Sequence, residues 1–321
     1  MDDSGRILDW MNKLKLPDLN DVGWFESVDG LRQSFFRASR SVERDIPDMT
    51  EISNLIVNGA SEGLRARLYV PRAAGVAPAP AIVFYHGGGF VLGNLDSHDV
   101  ICRRLADSSR CRVIAIDYRL APEHKFPAAH DDALASWQWI IDNAHILGFD
   151  PDRMAVAGDS AGGNLAAFLC QETKRTEIAM PAFQLLLYPL VQFADIRDNK
   201  LSFQEGGFFI SPAMFDYFRD SYIGESDQRM DVRVSPLFAS SEDFQALPPA
   251  HVVLCGWDPL KHEGQAYVDK LAAHGVPVTV KQHPGMVHGF MNLTGVLVPA
   301  REAIHEAGRV VGHALGAPVS T

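Results

Sequence analysis

The pentapeptide Gly158-Asp159-Ser160-Ala161-Gly162 constrains this chain more than any other stretch. Met154-Ala155-Val156-Ala157 precedes it, a short apolar run of the kind that forms a buried strand. Leu165 to Cys170 follows it and is rich in helix formers. Ser160 therefore falls on a sharp strand-to-helix turn. The flanking glycines suit such a turn, because a Cβ there would clash. A helix beginning behind the serine offers backbone N–H groups and a positive dipole end to a developing oxyanion. Alone, the G-x-S-x-G pattern arises by chance in tight turns, so the rest of the chain must supply the partners.

A second loop supplies one of them. His86-Gly87-Gly88-Gly89-Phe90 directly follows the apolar run Ala81–Tyr85. Three consecutive glycines are entropically costly unless the backbone takes unusual angles or approaches a ligand closely. Backbone N–H groups of such a loop can point at a tetrahedral oxyanion. A free hydroxyl is a poor nucleophile, so Ser160 also needs a base. The chain has 12 histidines. Downstream of Ser160, His288 lies in Pro284-Gly285-Met286-Val287-His288-Gly289-Phe290, a glycine-flanked loop expected just past the last strand. His274 falls at a helix end, and His305 and His313 fall in the last helix, where no catalytic side chain projects. The imidazole in turn needs a carboxylate to fix its tautomer. Asp258 in Gly256-Trp257-Asp258-Pro259-Leu260 and Asp195 both follow strands. Asp258 is favoured, because it sits closer to its strand end and beside a rigidifying proline.

The remaining pattern predicts an α/β fold. Eight short β-rich runs occur at Ile52–Val57, Arg65–Val70, Ala81–Tyr85, Arg112–Asp117, Met154–Ala157, Phe183–Tyr188, His251–Cys255 and Val276–Lys281. Helical periodicities separate the later runs: Val100/Leu105, Leu134/Trp137/Ile141, Ala266/Leu271 and Ile304/Val311. Gly275 is placed to stop the third of these helices in the left-handed conformation. Strands alternating with helices predict a mostly parallel eight-stranded sheet with helices on both faces. Residues 1–48 read differently. Ile7, Trp10, Met11 and Leu14, then Val28, Leu31 and Phe35, have helical spacing, with a turn-rich connector from Pro17 to Gly23. They are expected to form cap helices, leaving 49–321 as the catalytic domain. Residues 193–236 interrupt the alternation and read as an insertion in the same cap. There Ser211 caps a helix, Pro212 takes its first position, and Met214, Phe215, Phe218 and Tyr222 share a face.

Composition excludes several classes. A net charge of −11 gives no footprint for nucleic acid and no attraction to anionic membranes. No run reaches the roughly 18 apolar residues of a membrane span, and no secretory leader is visible. The four cysteines lack C-x-x-C spacing and read as reduced, buried thiols of a cytoplasmic protein.

Together these motifs resemble the hormone-sensitive-lipase-like esterases, the bacterial family IV carboxylesterases of the α/β-hydrolase superfamily. The resemblance covers about residues 50–315. It includes His86–Phe90, Asp117-Tyr118-Arg119-Leu120-Ala121-Pro122-Glu123-His124, Gly158–Gly163, Asp258-Pro259-Leu260 and His288-Gly289-Phe290. It implies Ser160 as nucleophile, Asp258 as acid and His288 as base, with the N–H groups of Gly88, Gly89 and Ala161 as oxyanion hole. It also implies structural roles for His86 and Glu123. Asp159 fits the acidic subgroup at that motif position. Hydrolysis of short- to medium-chain acyl esters is expected, with no metal or cofactor. Phe90, Phe208 and Phe209 are expected to wall the substrate pocket, with Gly206-Gly207 letting that segment bend over it. An amidase such as an arylformamidase would use the same triad. A non-catalytic small-molecule receptor on this fold would lack the triad histidine, which is present here. Homodimers are common in such families, but no sequence feature marks an interface.

Overall fold

A computed structural model describes residues 27–194 and 210–318. The expected helix around Ile7–Leu14, the alternative acid Asp195, the Gly206-Gly207 bend and the pocket candidates Phe208 and Phe209 lie outside these residues.

Eight strands form one sheet: β1 (Met49–Asn58), β2 (Gly63–Pro71), β3 (Ala79–Tyr85), β4 (Arg112–Ile116), β5 (Phe149–Asp159), β6 (Phe183–Leu187), β7 (Ala250–Trp257) and β8 (Val278–Val287). Their order across the sheet is β1-β2-β4-β3-β5-β6-β7-β8. Strand β2 pairs antiparallel with both β1 and β4, and every pairing from β4 through β8 is parallel.

Side-chain alternation builds the two cores. Along β3, Ala81, Val83 and Tyr85 face one apolar cluster, while Ile82 and Phe84 face the other. All of β3 is buried, which is why it reads as continuously apolar. The first cluster takes α3 (Ala128–Asp142) through Trp137 and Ile140, α4 (Ala161–Arg175) through Leu165 and Phe168, and α6 (Lys261–Ala273) through Tyr267 and Leu271. The second takes α2 (Asp99–Ser109) through Ile101 and Leu105, and α7 (Val298–Ala314) through Ile304 and Val311. Gly275 has φ +75 beyond α6, as its position required.

Two further helices stand at the C-terminal edge of the sheet. Helix α1 (Val28–Ser41) starts at Ser27, whose side chain accepts from Gly30 N–H. Helix α5 (Pro212–Tyr222) starts at Ser211, whose side chain accepts from Met214 N–H. Arg32 ties α1 to the body. Its guanidinium bonds both Glu123 carboxylate oxygens at 2.8 Å and the carbonyls of Val91 and Ala121 at 2.9 Å. All four cysteines are free and buried. Among the described residues no helix is long and apolar enough to cross a membrane.

Candidate active site

Ser160 is the single residue between β5 and α4. Its backbone lies at φ 53, ψ −116, a strained region that costs on the order of 1–3 kcal/mol for a residue with a Cβ. The surroundings hold it there. Ser160 N–H donates to Leu187 O at 2.9 Å, and its carbonyl accepts from Leu190 and Asn164 N–H at 3.1 Å. The turn is also too tight for side chains beside it. A Cβ on Gly162 would lie 1.8 Å from Tyr85 O.

Three groups converge at this turn. His288 Nε2 lies 2.8 Å from Ser160 Oγ, and His288 Nδ1 lies 2.8 Å from Asp258 Oδ2. Asp258 Oδ1 is occupied separately by Leu260 N–H at 2.8 Å. An ionised carboxylate only accepts, so Nδ1 carries the hydrogen and Nε2 of the neutral ring turns its lone pair toward the hydroxyl. All three side chains are buried. They come from the ends of different strands, Ser160 after β5, Asp258 after β7 and His288 after β8. Strand β8 runs to Val287, past the expected Lys281, so His288 is the first residue beyond it. The extension follows from a register shift between Cys255 and Trp257, where Gly256 lets the two strands stay close. Tyr188 packs edge-on against the His288 ring at 5.0 Å. Next to Asp258, the buried Glu263 accepts from Val191 N–H and the Gln192 amide, and burial pushes its carboxyl well above the usual range.

The glycine loop follows β3. Gly88 and Gly89 have φ +120 and +62, conformations that L side chains rarely adopt. Both line the same cavity as Ser160 and His288, and Ala161 opens α4 directly behind the serine. The loop is braced from below. His86 stacks on Tyr118 at 4.4 Å, the Tyr118 hydroxyl donates to His86 O at 2.6 Å, and burial pulls His86 down to about 3. Asp159 Oδ1 accepts from Gly87 N–H at 2.8 Å and stands 3.4 Å from His98 Nε2. Burial opposes the charge on Asp159, but His98 and the Gly87 N–H outweigh it and hold the carboxyl below its ordinary value.

One expectation is corrected here. Phe90 is fully buried and stacks on Tyr222 at 4.1 Å, and it is not among the residues that line the cavity. Its φ of +63 turns the side chain away from the cavity and into the core behind the loop. The cavity, about 210 Å³, is walled instead by Leu31 and Phe35 of α1 on one side and Met214, Phe215 and Phe218 of α5 on another. His98, Asn292 and Leu293 also reach it. The helical spacing of Leu31 and Phe35, and of Met214, Phe215 and Phe218, was the signal for these walls. Nothing local to His98 marked it. Among the described residues no cluster of His, Cys, Asp or Glu could hold a metal ion.

A hydroxyl, imidazole and carboxylate in this chain of contacts can pass a proton from oxygen to nitrogen while the ring's charge is balanced. Comparison with known proteins points to ester hydrolysis. A family model, Abhydrolase_3, described as α/β hydrolase fold, matches residues 82–292. The chain is 36% identical to the ethyl acetate hydrolase of Pseudomonas putida, over 86% of this chain and 87% of that one. It is 40% identical to the carboxylic ester hydrolase LipN of Mycobacterium tuberculosis, over 76% of this chain and 65% of LipN. In structure it is similar to an ester hydrolase from the metagenome of Lake Arreo, solved with a derivative of bipyridine phosphonate. That match has a TM-score of 0.90 and 41% identity, and covers 98% of this chain and 99% of the other. The chain belongs to the hormone-sensitive-lipase-like carboxylesterases of the α/β-hydrolase superfamily.

Proposed function

We propose that this carboxylic ester hydrolase cleaves short- to medium-chain acyl esters through a Ser160–His288–Asp258 triad and an acyl-enzyme intermediate. The observation that carries the reading is the unbroken relay, with 2.8 Å at each of its two contacts. Ser160 Oγ attacks the ester carbonyl carbon while His288 Nε2 takes its proton. Asp258 holds the ring in the required tautomer and balances the imidazolium. The carbonyl oxygen becomes an oxyanion, received by the N–H groups of Gly88, Gly89 and Ala161. Collapse of the tetrahedral intermediate expels the alkoxide, which leaves with the proton from His288. Water then adds to the acyl carbon as His288 takes its proton, and collapse of this second tetrahedral intermediate releases the acid while His288 returns the proton to Ser160 Oγ. Helices α1 and α5 act as a cap over this chemistry and contribute its apolar walls. The pocket between them is about 210 Å³. That room supports a short acyl chain.

The test is a mutational series assayed on p-nitrophenyl butyrate. Ser160→Ala and His288→Ala each lower kcat by on the order of 10⁶-fold, and the double variant is barely worse, because the residues act as a unit. Asp258→Asn costs about 10⁴-fold through the wrong tautomer. An Asp258→Asn variant near wild type beside an inactive Asp195→Asn variant would move the acid to Asp195.

A further inference from the structure

The nucleophile has a second carboxylate–histidine pair beside it, Asp159 and His98. Asp159 immediately precedes Ser160 and is 2% exposed. Its Oδ1 accepts from Gly87 N–H at 2.8 Å. Its Oδ2 lies so close to Gly87 that a Cβ there would sit 2.4 Å away. Gly87 is followed directly by Gly88 and Gly89, which line the cavity. One side chain thus bridges the residue beside the nucleophile and the residue beside the two glycines. His98, 1% exposed, approaches the same oxygen, with Nε2 3.4 Å from Asp159 Oδ1. The His98 ring is itself held, Nδ1 lying 2.9 Å from Ser97 Oγ. Ser97 is in turn bonded to both the N–H and the carbonyl of Asn94.

A buried carboxylate is an expensive way to fill space, since its desolvation must be offset by polar partners. Here the partner is a loop N–H rather than an arginine. Cation-paired buried carboxylates do occur in the same fold, as where Arg119 bonds both oxygens of Asp132. The choice of partner at Asp159 therefore ties charge to loop position.

We propose that Asp159 and His98 are positioning residues that set the distance between Ser160 and the oxyanion donors of the glycine loop. The proposal rests on Ser160 being the nucleophile and on Gly88 and Gly89 being those donors. Removing the bridge leaves the loop free to shift, and a displacement of about 1 Å from productive geometry can cost on the order of 10²-fold.

The test separates transition-state from ground-state binding in Asp159→Ala, Asp159→Asn, His98→Leu and His98→Gln. Steady-state kinetics on p-nitrophenyl butyrate are measured beside inhibition by a butyl trifluoromethyl ketone. That ketone adds Ser160 Oγ and forms a tetrahedral oxyanion. The matching methyl ketone serves as a ground-state analogue. Asp159→Ala loses about 10²-fold in kcat with KM within about twofold. Affinity for the trifluoromethyl ketone falls in parallel, and affinity for the methyl ketone does not. Asp159→Asn loses less, because its amide oxygen still accepts from Gly87. His98→Leu loses activity that His98→Gln, with a polar group kept beside Asp159, largely restores. A folded Asp159→Ala with wild-type kcat overturns the proposal, as does equal weakening of both ketones. If Asp159→Ala does not fold, the His98 pair decides, and indistinguishable Leu and Gln variants overturn it. Ser160→Ala is the control for the underlying reading. If that variant keeps its activity, the nucleophile assignment falls and this proposal falls with it.

Discussion

Trimming Phe218 to alanine shifts the acyl preference of the enzyme toward longer chains. The Phe218 ring lies on the glycine loop, close enough that a Cβ on Gly89 would be 2.4 Å from it, and it lines the cavity beside Met214 and Phe215. On the proposed reading, a short acyl chain together with part of the alcohol fills the wild-type cavity of about 210 Å³. Phe218→Ala deletes six ring carbons. Partial relaxation of α5 reclaims some of that volume, but room for at least two methylenes remains. Each methylene buried contributes about 0.8 kcal/mol, so two give about 1.6 kcal/mol, roughly 15-fold in relative kcat/KM. The assay is kcat/KM on p-nitrophenyl esters from acetyl to decanoyl, at concentrations below aggregation. The leaving group is constant, so only the acyl side varies. In the wild type the octanoyl-to-hexanoyl ratio is below one, because methylenes beyond the filled pocket meet steric resistance. In Phe218→Ala that ratio rises by about 15-fold or more. An unchanged ratio in a folded variant would refute the reasoning, and would place the acyl chain on the α1 side instead.

Two further predictions follow from the same geometry. Burial holds His86 at about 3 and His130 at about 4, against about 6.5 in an unfolded chain. Between these values the unfolded state binds protons that the folded state does not, so stability falls as pH is lowered from about 6.5. The two groups together contribute up to ~3 kcal/mol per pH unit, and the raised Glu263 carboxyl opposes them; in Glu263→Gln the urea midpoint therefore drops between pH 7 and pH 5, and an unchanged midpoint in that variant contradicts the buried neutral rings. Arg32→Lys, which cannot reproduce the two-pronged contact with Glu123, loosens α1 and raises the rate of limited proteolysis ahead of β1; cleavage at the wild-type rate would show that other contacts hold the helix.

The residues expected to carry chemistry come together because this fold places them at strand ends, where local sequence is distinctive. Ser160, Asp258 and His288 each end an apolar run with a glycine or proline close by, and the glycine loop follows β3 in the same way. All eight expected strands exist; β3, β4, β6 and β7 are buried on both faces and leave continuous apolar runs, whereas the edge strands β1 and β8 are largely exposed. The misreadings arise where a role depends on distant partners. Phe90 adjoins the glycine loop in sequence, yet Tyr222 of α5 holds it in the core. His98 meets Asp159 from 61 residues away, and Arg32 meets Glu123 from 91 residues away. No periodicity or spacing encodes such pairs. Strand β8 also outran its local signal, because its polar stretch Lys281–His283 pairs with β7 through backbone bonds that ignore side-chain type.

The central claim is that Ser160 becomes covalently acylated during turnover. The most direct measurement is intact-protein and peptide mass spectrometry after rapid acid quench with p-nitrophenyl butyrate, alongside labelling by a fluorophosphonate. The account predicts a single butyryl increment on the peptide containing Ser160, a matching burst of p-nitrophenol, and stoichiometric phosphonylation of Ser160 that His288→Ala slows by orders of magnitude. Sustained hydrolysis with no acyl increment in any quench interval, and with Ser160 left unlabelled by the fluorophosphonate, would contradict it.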